Sequence, residues 1–454
     1  MPASRHTSSE RDEPLIRDRG DACPGALRLH RADDGFLARL RLPGGRLTGD
    51  QVELLAAAAE ELGDGGIGIT SRGNAELRGL RDDCAGELAG RLRAGGLLPS
   101  ETHERVRNVV ASPAAGLDGL GHADVQLWVR ELDRLLCATP RAAALSGRFL
   151  FVLDDGRGDV AGLGGDVTLI AAEGGTALLR CAGQTVEVPG ADAPRAALAA
   201  ALAFLDAAET AGNGAWRVRE LPPGHAPDLT ALPVPGTRPV PDPPLPQPTP
   251  PTGAPAPGTP APAPSGARPP APGPLGAVPH APAPSPPAPQ SPDPQAPDPS
   301  PSAPLAPGPL GDRALHVLAP LGRLSAAQAR ALLPVAEVRF TPWRGVVLVG
   351  PAAGLPALAA HGFVTRPDAA AVGVTACTGR PGCAKSLADV RADAGRAPGG
   401  ALPVHFAGCE RRCGHPHGTW VDVVATGDGG YLVDGVPTPR TSLSEAVHTA
   451  RTTR

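Results

Sequence analysis

An internal repeat places the strongest constraint on how this chain can fold. The segment LPGGRLTGDQ, which begins at Leu42, returns as APLGRLSAAQ from Ala319 onward. In each copy a hydroxyl residue, Thr48 or Ser325, stands three positions before a glutamine, which is the spacing of a capping box at a helix start. A chance coincidence of proline, glycine and helix caps is the alternative. We interpret the match as a sign of duplicated halves.

A second match follows in the same order. The segment IGITSRGN lines up with VRFTPWRG, which sets Thr341 near Thr70 and Arg344 near Arg72 with a one-residue offset. Apolar patterning around both copies predicts the order strand, strand, helix, strand. The predicted elements are a hairpin over 27–42, a helix over 52–62 and a strand over 67–70, and then a strand over 315–318 and a helix over 326–333.

The remainder of the first half has the pattern of a mixed sheet-and-helix domain. Short apolar runs predict strands, and amphipathic or Ala-rich stretches predict helices. The predicted helices cover 124–138 and 194–211, and the predicted strands cover 148–153, 159–163, 167–171, 177–179 and 185–188.

A proline-rich segment separates the halves. Residues 222–309 hold more than half of the chain's 57 prolines and few large apolar side chains. Such a composition predicts a disordered linker with polyproline II character, long enough for one half to fold back onto the other. A docking site for a proline-recognising partner is the alternative. The predicted division is a disordered tail (1–20), a first half (21–221), the linker (222–309) and a second half (310–454).

Composition and charge exclude several classes of protein. The 454 residues carry a formal charge of -4, with alternating rather than blocked charges, so we expect no nucleic-acid partner. The N-terminus lacks a secretory apolar core, and no apolar run reaches about 18 residues, so we expect no membrane partner and a cytoplasmic location. Single cysteines in a reducing compartment are most simply free thiols, as we expect for Cys23, Cys84, Cys137 and Cys181.

Two close pairs of cysteines in the second half indicate a metal centre. Cys377 and Cys383 have five residues between them, and Cys409 and Cys413 have three. Four thiolates brought together in this way suit a [4Fe-4S] cluster, which cysteines hold through their sulfurs. Structural zinc and unliganded thiols are the alternatives. Three histidines flank the second pair, His405, His415 and His417, and the last two are candidates for a second metal.

Arginines form a second constellation. They lie beside Gly, Pro or Asn at the ends of apparent strands, at Arg72, Arg78, Arg107, Arg148 and Arg344. Guanidinium groups that converge from loops hold carboxylates in bidentate geometry, so the set predicts a polyanionic ligand. The alternative is that these are ordinary solvated arginines.

Several segments taken together resemble a known superfamily. With the cysteine pairs, the segments ACPGALR, LPGGRL, TSRGNAELRG, RNVVASPAAGLDG, FTPWRG and ACTGRPGCAKS are similar to sulfite and nitrite reductases, and within them to the precorrin-3B synthase family. The resemblance implies an α+β fold of duplicated nitrite/sulfite-reductase-like halves. Each half would combine a ferredoxin-like half-domain with a mixed α/β domain that holds cluster and substrate, and the disordered proline-rich linker would join them.

The resemblance also implies an activity. Enzymes of this family are O2-dependent monooxygenases that convert precorrin-3A to precorrin-3B by C20 hydroxylation with γ-lactone formation, in aerobic cobalamin biosynthesis. The implied cofactors are the [4Fe-4S] cluster and a mononuclear non-haem iron, with reduced nicotinamide or ferredoxin as the electron source. The implied partners are a precorrin-type tetrapyrrole substrate and an electron-donor protein. The implied substrate-binding residues are Arg72, Asn74, Arg78, Arg107, Arg148 and Arg344.

One segment departs from the reductases. Sulfite reductases carry two lysines in an L-P-R-K-F-K segment, where this chain reads LSGRFL, with Arg148 at the first position and Leu150 at the second. Precorrin-3B synthases usually read P-R-K-F there, so Ser146 and Gly147 depart from that family as well. The missing lysine weakens the alternative of a siroheme-dependent sulfite or nitrite reductase. A non-catalytic iron-sulfur or zinc protein is a further alternative.

Overall fold

The first repeat folds as a sheet with two helices. The computed structural model describes residues 24–242, 245, 304–416 and 418–453. Thr48 caps the first helix as predicted, because its Oγ1 accepts the Gln51 amide at 3.3 Å and its own amide donates to the Gln51 side chain at 3.0 Å. The elements are β1 (His30–Ala32), β2 (Gly35–Leu40), β3 (Arg46–Leu47), α1 (Gly49–Leu62), β4 (Gly66–Ile69), β5 (Ala75–Leu80) and α2 (Ala85–Ala94).

The second domain of the first half is mixed. Its elements are β6 (Val109–Ala111), α3 (Val125–Ala138), β7 (Phe151–Asp154), β8 (Val167–Ala172), β9 (Thr176–Cys181), β10 (Gln184–Pro189), α4 (Ala193–Ala211) and β11 (Arg238–Pro239). The strand predicted over 159–163 is wrong. Those residues form a loop because the amides of Val160 and Ala161 donate to the Asp154 carboxylate rather than to a neighbouring strand.

The second repeat has the same order of elements. Ser325 and Gln328 form its capping box, as predicted. The second helix ends two residues earlier than the range 326–333. The elements are β12 (Gly308–Leu310), β13 (Ala314–Leu318), β14 (Arg323–Ser325), α5 (Ala326–Ala331), β15 (Glu337–Phe340), β16 (Gly345–Val349) and α6 (Leu355–Ala360).

The last domain carries both cysteine pairs. A short parallel core precedes two antiparallel strands and a C-terminal helix. The elements are β17 (Val374–Ala376), α7 (Val390–Ala394), β18 (Val404–Ala407), β19 (Val421–Ala425), β20 (Tyr431–Val433), β21 (Val436–Thr438) and α8 (Leu443–Thr452).

The two repeats exchange a strand. One five-stranded sheet has the order β1-β2-β5-β4-β14 and the other has the order β12-β13-β16-β15-β3, so each sheet ends on a strand from the other half. In the exchanged pairs Leu324 lies opposite Ile67, and Val338 lies opposite Leu47. All four of these side chains are buried in one hydrophobic core that both repeats build. The duplication predicted from the sequence is therefore confirmed, and the halves share a core.

The two mixed sheets are also equivalent. In the first half β6, β7 and β8 are parallel and β9 and β10 follow antiparallel; in the second half β17, β18 and β19 are parallel and β20 and β21 follow antiparallel. Because carboxyl ends of neighbouring parallel strands meet at one sheet edge, the loops after β17 and β18 lie together. Those loops carry the cysteines.

Some residues expected in the linker belong to the folded part. Leu229, Leu232 and Val234 are buried in the core of the mixed domain, and β11 pairs with β10. Strand β12 likewise begins inside the range 222–309. These apolar residues find partners despite the prolines around them, since proline is tolerated at sheet edges. Residues 1–20 and most of the linker lie outside the described residues. No helix in the described ranges is long and apolar enough to cross a bilayer.

Candidate functional site

A cationic cavity of about 750 Å³ lies where the halves meet. This volume falls within the range of roughly 300–1,000 Å³ that is usual for small-molecule sites. Two glutamates, Glu76 and Glu220, lie in the lining, which also includes Trp216 and two of the cysteines, Cys377 and Cys413. Ten lining residues are arginines: Arg39, Arg41, Arg72, Arg78, Arg148, Arg217, Arg219, Arg323, Arg344 and Arg391.

Arg344 and Arg391 are among the lining arginines that form no ion pair within the described part of the chain. Arg344 donates to the carbonyl of Gly414 at 3.0 Å, and Arg391 donates to the carbonyl of Leu321 at 3.2 Å. Neither forms an ion pair with any described carboxylate. Burial lowers the pKa of Arg344, and burial followed by repulsion from Arg323 and Arg344 lowers the pKa of Arg391 to about 10. Clustered guanidinium groups of this kind favour a bound polyanion.

The structure brings most of the predicted binding residues to this cavity. Arg72, Arg148 and Arg344 line it, and the guanidinium of Arg148 lies over the Trp216 ring, 4.8 Å from its centre. Asn74 lines it too, but its side chain accepts the Leu42 amide and donates to Asn108. Asn74 therefore holds the surrounding backbone in place.

Arg78 lines the cavity while its donors are already engaged. It forms a bidentate pair with Asp34, at 2.9 Å for each contact, and also contacts Glu76. One of its nitrogens donates to the carbonyl of Gly382 in the cysteine loop at 3.1 Å. Arg78 thus connects the first half to the loop that carries Cys383.

The structure does not bring Arg107 to the cavity. Its guanidinium pairs with Asp133 at 2.6 and 2.8 Å and donates to the Leu97 carbonyl. The arginines at predicted strand ends did not include six that line the cavity: Arg39, Arg41, Arg217, Arg219, Arg323 and Arg391. Arg323 lies inside the repeated segment, at the position that aligns with Arg46. The repeat itself could therefore have indicated this arginine as a candidate binding residue. Arg391 lies at the start of α7, and nothing in its local sequence distinguishes it.

The four predicted cysteines come together at the carboxyl edge of the last sheet. Cys377 directly follows β17, and Cys409 lies two residues after β18. The Gly408 amide donates to the Cys377 sulfur at 3.2 Å. Burial, followed by the sulfurs of Cys377, Cys409 and Cys383, raises the pKa of Cys413, so all four thiols are electrostatic neighbours.

The four cysteine sulfurs are not gathered as closely as the ligands of one zinc ion. Thiolates on one tetrahedral zinc lie roughly 3.8 Å apart, given Zn–S bonds of about 2.3 Å. No three of the four cysteine sulfurs lie within 4.8 Å of one another. A cubane separates its cysteine ligands more widely, and the amide directed at Cys377 is the kind of contact that supports a cluster sulfur ligand. These residues therefore fit an iron-sulfur cluster.

The described residues do not assemble a second metal site around the predicted histidines. His415 is exposed, stacks on Trp420 at 4.7 Å and contacts the Pro416 carbonyl. His417 lies outside the described residues. His405 is fully buried against Thr375, and burial followed by the charges of Arg344 and His415 lowers its pKa to about 3, so it is neutral at physiological pH.

The equivalent loops of the first half carry different chemistry. Ser112 follows β6 as Cys377 follows β17. The second cysteine pair follows β18, and the equivalent segment of the first half is acidic, with Asp154 at the end of β7 and Asp155 and Asp159 in the loop after it. Asp154 accepts four backbone amides, Asp155 pairs with Arg157, and Asp159 accepts the Ser112 hydroxyl at 2.6 Å. The loops of the first half therefore hold an internal hydrogen-bond network at the positions where those of the second half carry cysteines. Within the described ranges Cys84, Cys137 and Cys181 form no disulfide, as predicted, while Cys23 lies outside those ranges.

Comparison with known proteins agrees with the repeated architecture. The sequence of residues 28–95, which spans β1 to α2, matches the nitrite/sulfite reductase ferredoxin-like half domain. Residues 28–95 are therefore similar to a half-domain of these reductases. This half-domain supplies Arg39, Arg41, Arg72 and Arg78 to the cavity.

Individual relatives match parts of the chain. A ferredoxin–nitrite reductase from Synechococcus elongatus is 35% identical over 128 residues, which are 27% of this chain and 25% of that protein. A precorrin-3B synthase from Sinorhizobium sp is 32% identical over 150 residues, which are 32% of this chain and of that protein. The matched part therefore spans a third or less of these relatives. The solved structure of NirA from Mycobacterium tuberculosis has a TM-score of 0.57 at 17% identity, covering 90% of this chain and 79% of that chain, which shows a similar fold.

Proposed function

We propose that this chain is a precorrin-3B synthase: an O2-dependent monooxygenase that converts precorrin-3A to precorrin-3B. The observation that supports this most is the ten-arginine cavity, which Cys377 and Cys413 also line. A precorrin carries acetate and propionate groups around its macrocycle, and guanidinium groups that form no ion pair with a described carboxylate, such as those of Arg344 and Arg391, complement them. The similarity to a precorrin-3B synthase points to the same substrate class.

Cys377, Cys383, Cys409 and Cys413 would hold a [4Fe-4S] cluster at the cavity wall. When bound, such a cluster supplies single electrons to the site. Because Cys377 and Cys413 line the cavity, a cluster held there would lie beside a substrate bound in it. We assign no ligand to the mononuclear iron that the family resemblance implies, because His415 is exposed and stacked on Trp420.

Arg344 and Arg391 would fix the orientation of the macrocycle. Arg344 contacts Gly414, next to Cys413, and the charge of Cys377 acts on Arg391. Substrate carboxylates held by these two side chains would bring one edge of the macrocycle against the cysteine loops. Arg72 and Arg148, on the opposite half, would hold carboxylates at another edge. Binding energy from the rim of the substrate would thus position its reacting carbon.

The experiment that tests this proposal is isotope labelling of the product. The chain is reconstituted anaerobically with iron and sulfide, and is then incubated with precorrin-3A, a reductant and ¹⁸O2. One oxygen atom of O2 should enter the product while the other is reduced to water with two electrons and two protons. Mass spectrometry should show the gain of one labelled oxygen. A product without that label would overturn the monooxygenase assignment.

A siroheme-dependent nitrite or sulfite reductase is the second candidate, since ferredoxin–nitrite reductases are among the similar proteins. Two observations weigh against it. Leu150, at the second lysine position of the reductase segment, is buried in a hydrophobic core. Lys385, the single lysine of the sequence, is not among the residues that line the cavity. Purified protein with a tightly held siroheme absorbance, and nitrite or sulfite reduction, would favour this candidate.

A further inference from the structure

Side chains of the first half hold the backbone on both sides of Cys383. On one side, the Gly382 carbonyl accepts a hydrogen bond from Arg78 at 3.1 Å. On the other side, the Ala384 amide donates to the carboxylate of Asp33 at 2.6 Å. These contacts join residues that are more than 300 positions apart in the sequence. Cys383 thus lies between two backbone groups that a different half of the protein fixes.

A bidentate ion pair orients Arg78 for this contact. Its Nε and Nη2 donate to the two carboxylate oxygens of Asp34, each at 2.9 Å, and its Nη1 contacts Glu76. A planar guanidinium held in this way leaves little freedom for the nitrogen that also reaches Gly382. Asp33 and Asp34 are adjacent in the turn between β1 and β2. This one turn therefore supplies both the acceptor of the Ala384 amide and the carboxylate that orients Arg78.

The approach of this turn to the cysteine loop is close. A Cβ atom at Gly382 would lie 2.8 Å from Asp34 Oδ2 and 2.8 Å from Thr378 Cγ2, both inside normal contact distance. A side chain at Gly382 would therefore push the Asp34 carboxylate and the cysteine loop apart. The absence of a Cβ allows the acidic turn to reach the backbone beside Cys383.

We propose that Asp33, Asp34 and Arg78 act as a clamp that positions Cys383, and with it one iron of the cluster, so that the first half completes a metal centre whose ligands all lie in the second half. This inference rests on the cluster of the proposed function. Arg78 is then a positioning residue for the metal centre. Outer contacts of this kind hold metal ligands in orientation, and their loss typically weakens metal binding by about 10- to 100-fold.

The test uses reconstituted full-length protein and the loss of one iron as its readout. In a [4Fe-4S]²⁺ cluster, removal of one electron by ferricyanide followed by release of one Fe²⁺ leaves a paramagnetic [3Fe-4S]⁺ cluster, which EPR detects. Arg78→Lys keeps the charge but removes the bidentate geometry. We expect this variant to form the three-iron cluster at least about tenfold faster than the wild type. Equal rates in variant and wild type would overturn the clamp.

Arg107→Lys is the matched control. Arg107 resembles Arg78 in having a bidentate carboxylate pair and a backbone carbonyl contact, but its partners are Asp133, Leu97 and Cys137 rather than the loops that carry the four clustered cysteines. This control should lower stability toward urea without changing the rate of iron loss. If Arg107→Lys also accelerates iron loss tenfold, general loosening of the fold explains the effect and the clamp is wrong.

Asp33→Ala gives a second measurement that does not depend on Arg78. Asp33 is exposed, so its truncation should leave the fold intact, yet it removes the acceptor of the Ala384 amide. In cluster-free protein we expect faster alkylation of Cys383 by iodoacetamide, relative to Cys409, in Asp33→Ala and Arg78→Lys. An unchanged ratio would contradict the clamp. A wild-type protein that holds its cluster but transfers no oxygen would contradict only the proposed function.

Discussion

Gly73 and Arg344 occupy the same position in two equivalent turns of the duplicated halves. Their φ angles are 67° and 64°, and each amide donates to a threonine carbonyl three residues earlier, that of Thr70 at 3.0 Å and that of Thr341 at 2.9 Å. The first half uses a glycine where this left-handed conformation is required, and the second half uses an arginine. This correspondence explains the one-residue offset between Arg72 and Arg344 in the aligned sequences.

Arg344 should therefore reduce stability in exchange for ligand binding. A non-glycine residue in the left-handed region costs about 1–2 kcal/mol, so we expect Arg344→Gly to raise the free energy of unfolding by about 1 kcal/mol. The same change should weaken binding of a polycarboxylate tetrapyrrole. Urea denaturation and fluorescence titration measure the two effects. Arg344→Ala keeps the backbone conformation, so a gain in stability as large as that of Arg344→Gly would show that backbone strain is not the cause.

Arg391 should contribute directly to ligand affinity. It forms no ion pair with a described carboxylate, and a charge-assisted hydrogen bond to a ligand is worth about 1.5–3 kcal/mol. We expect Arg391→Ala to weaken binding of uroporphyrin, a stable tetrapyrrole polycarboxylate, by about 10- to 100-fold. Isothermal titration calorimetry measures this. The control is Arg134→Ala, which removes an exposed arginine paired with Glu131. Equal affinities of both variants would argue against the cavity as the binding site.

Cys409 should be required for the metal centre. We expect Cys409→Ser to lose the iron-sulfur absorbance and the iron and sulfide content after reconstitution, and to lose turnover with them. Cys137→Ser, which changes a half-buried thiol on α3, should reconstitute like the wild type. A normal cluster in Cys409→Ser would show that the ligand set is wrong.

Asp159 should make the protein less stable as the pH rises. Burial, followed by repulsion from Asp154 and Asp155, raises its pKa well above the usual value. The folded state then binds this proton more tightly than the unfolded state does, so stability falls as the pH rises from the unfolded pKa of about 3.9 toward the raised value. Asp159→Asn lacks this proton equilibrium. Urea denaturation from pH 4 to pH 8 should show its stability advantage over the wild type growing with pH. A constant difference would contradict the raised pKa.

Much of the fold followed from local signals. The capping boxes of Thr48 and Ser325 predicted two helix starts, and the repeated segments around them predicted the duplication. These signals depend on residues that are close together in the chain, so they can be recognised from the sequence alone. The strand predicted over 159–163 failed because a tertiary contact, the Asp154 carboxylate, takes up the amides that a strand would have paired.

The candidate site also has one part that the sequence predicts and one part that it does not. The spacing of Cys377, Cys383, Cys409 and Cys413 was sufficient to predict that the four thiols come together, because each pair follows a strand at the same sheet edge. For the arginines, position in the sequence was not sufficient to predict which side chains line the cavity. Arg107 and Arg78 look alike in the sequence, but one pairs with Asp133 away from the cavity and the other reaches Gly382. Only the partner carboxylate and the direction of the side chain separate their roles.

The sequence by itself determined the duplicated halves, the helix starts and the four clustered cysteines, because each depends on residue spacing within a few turns of chain. The tertiary structure decided which arginines share a cavity, that the repeats exchange β3 and β14, and that Asp33 and Arg78 flank Cys383. These features depend on how segments some 300 residues apart pack against one another. Such contacts form, and contribute to the free energy of folding, only when the two halves are assembled around a common core.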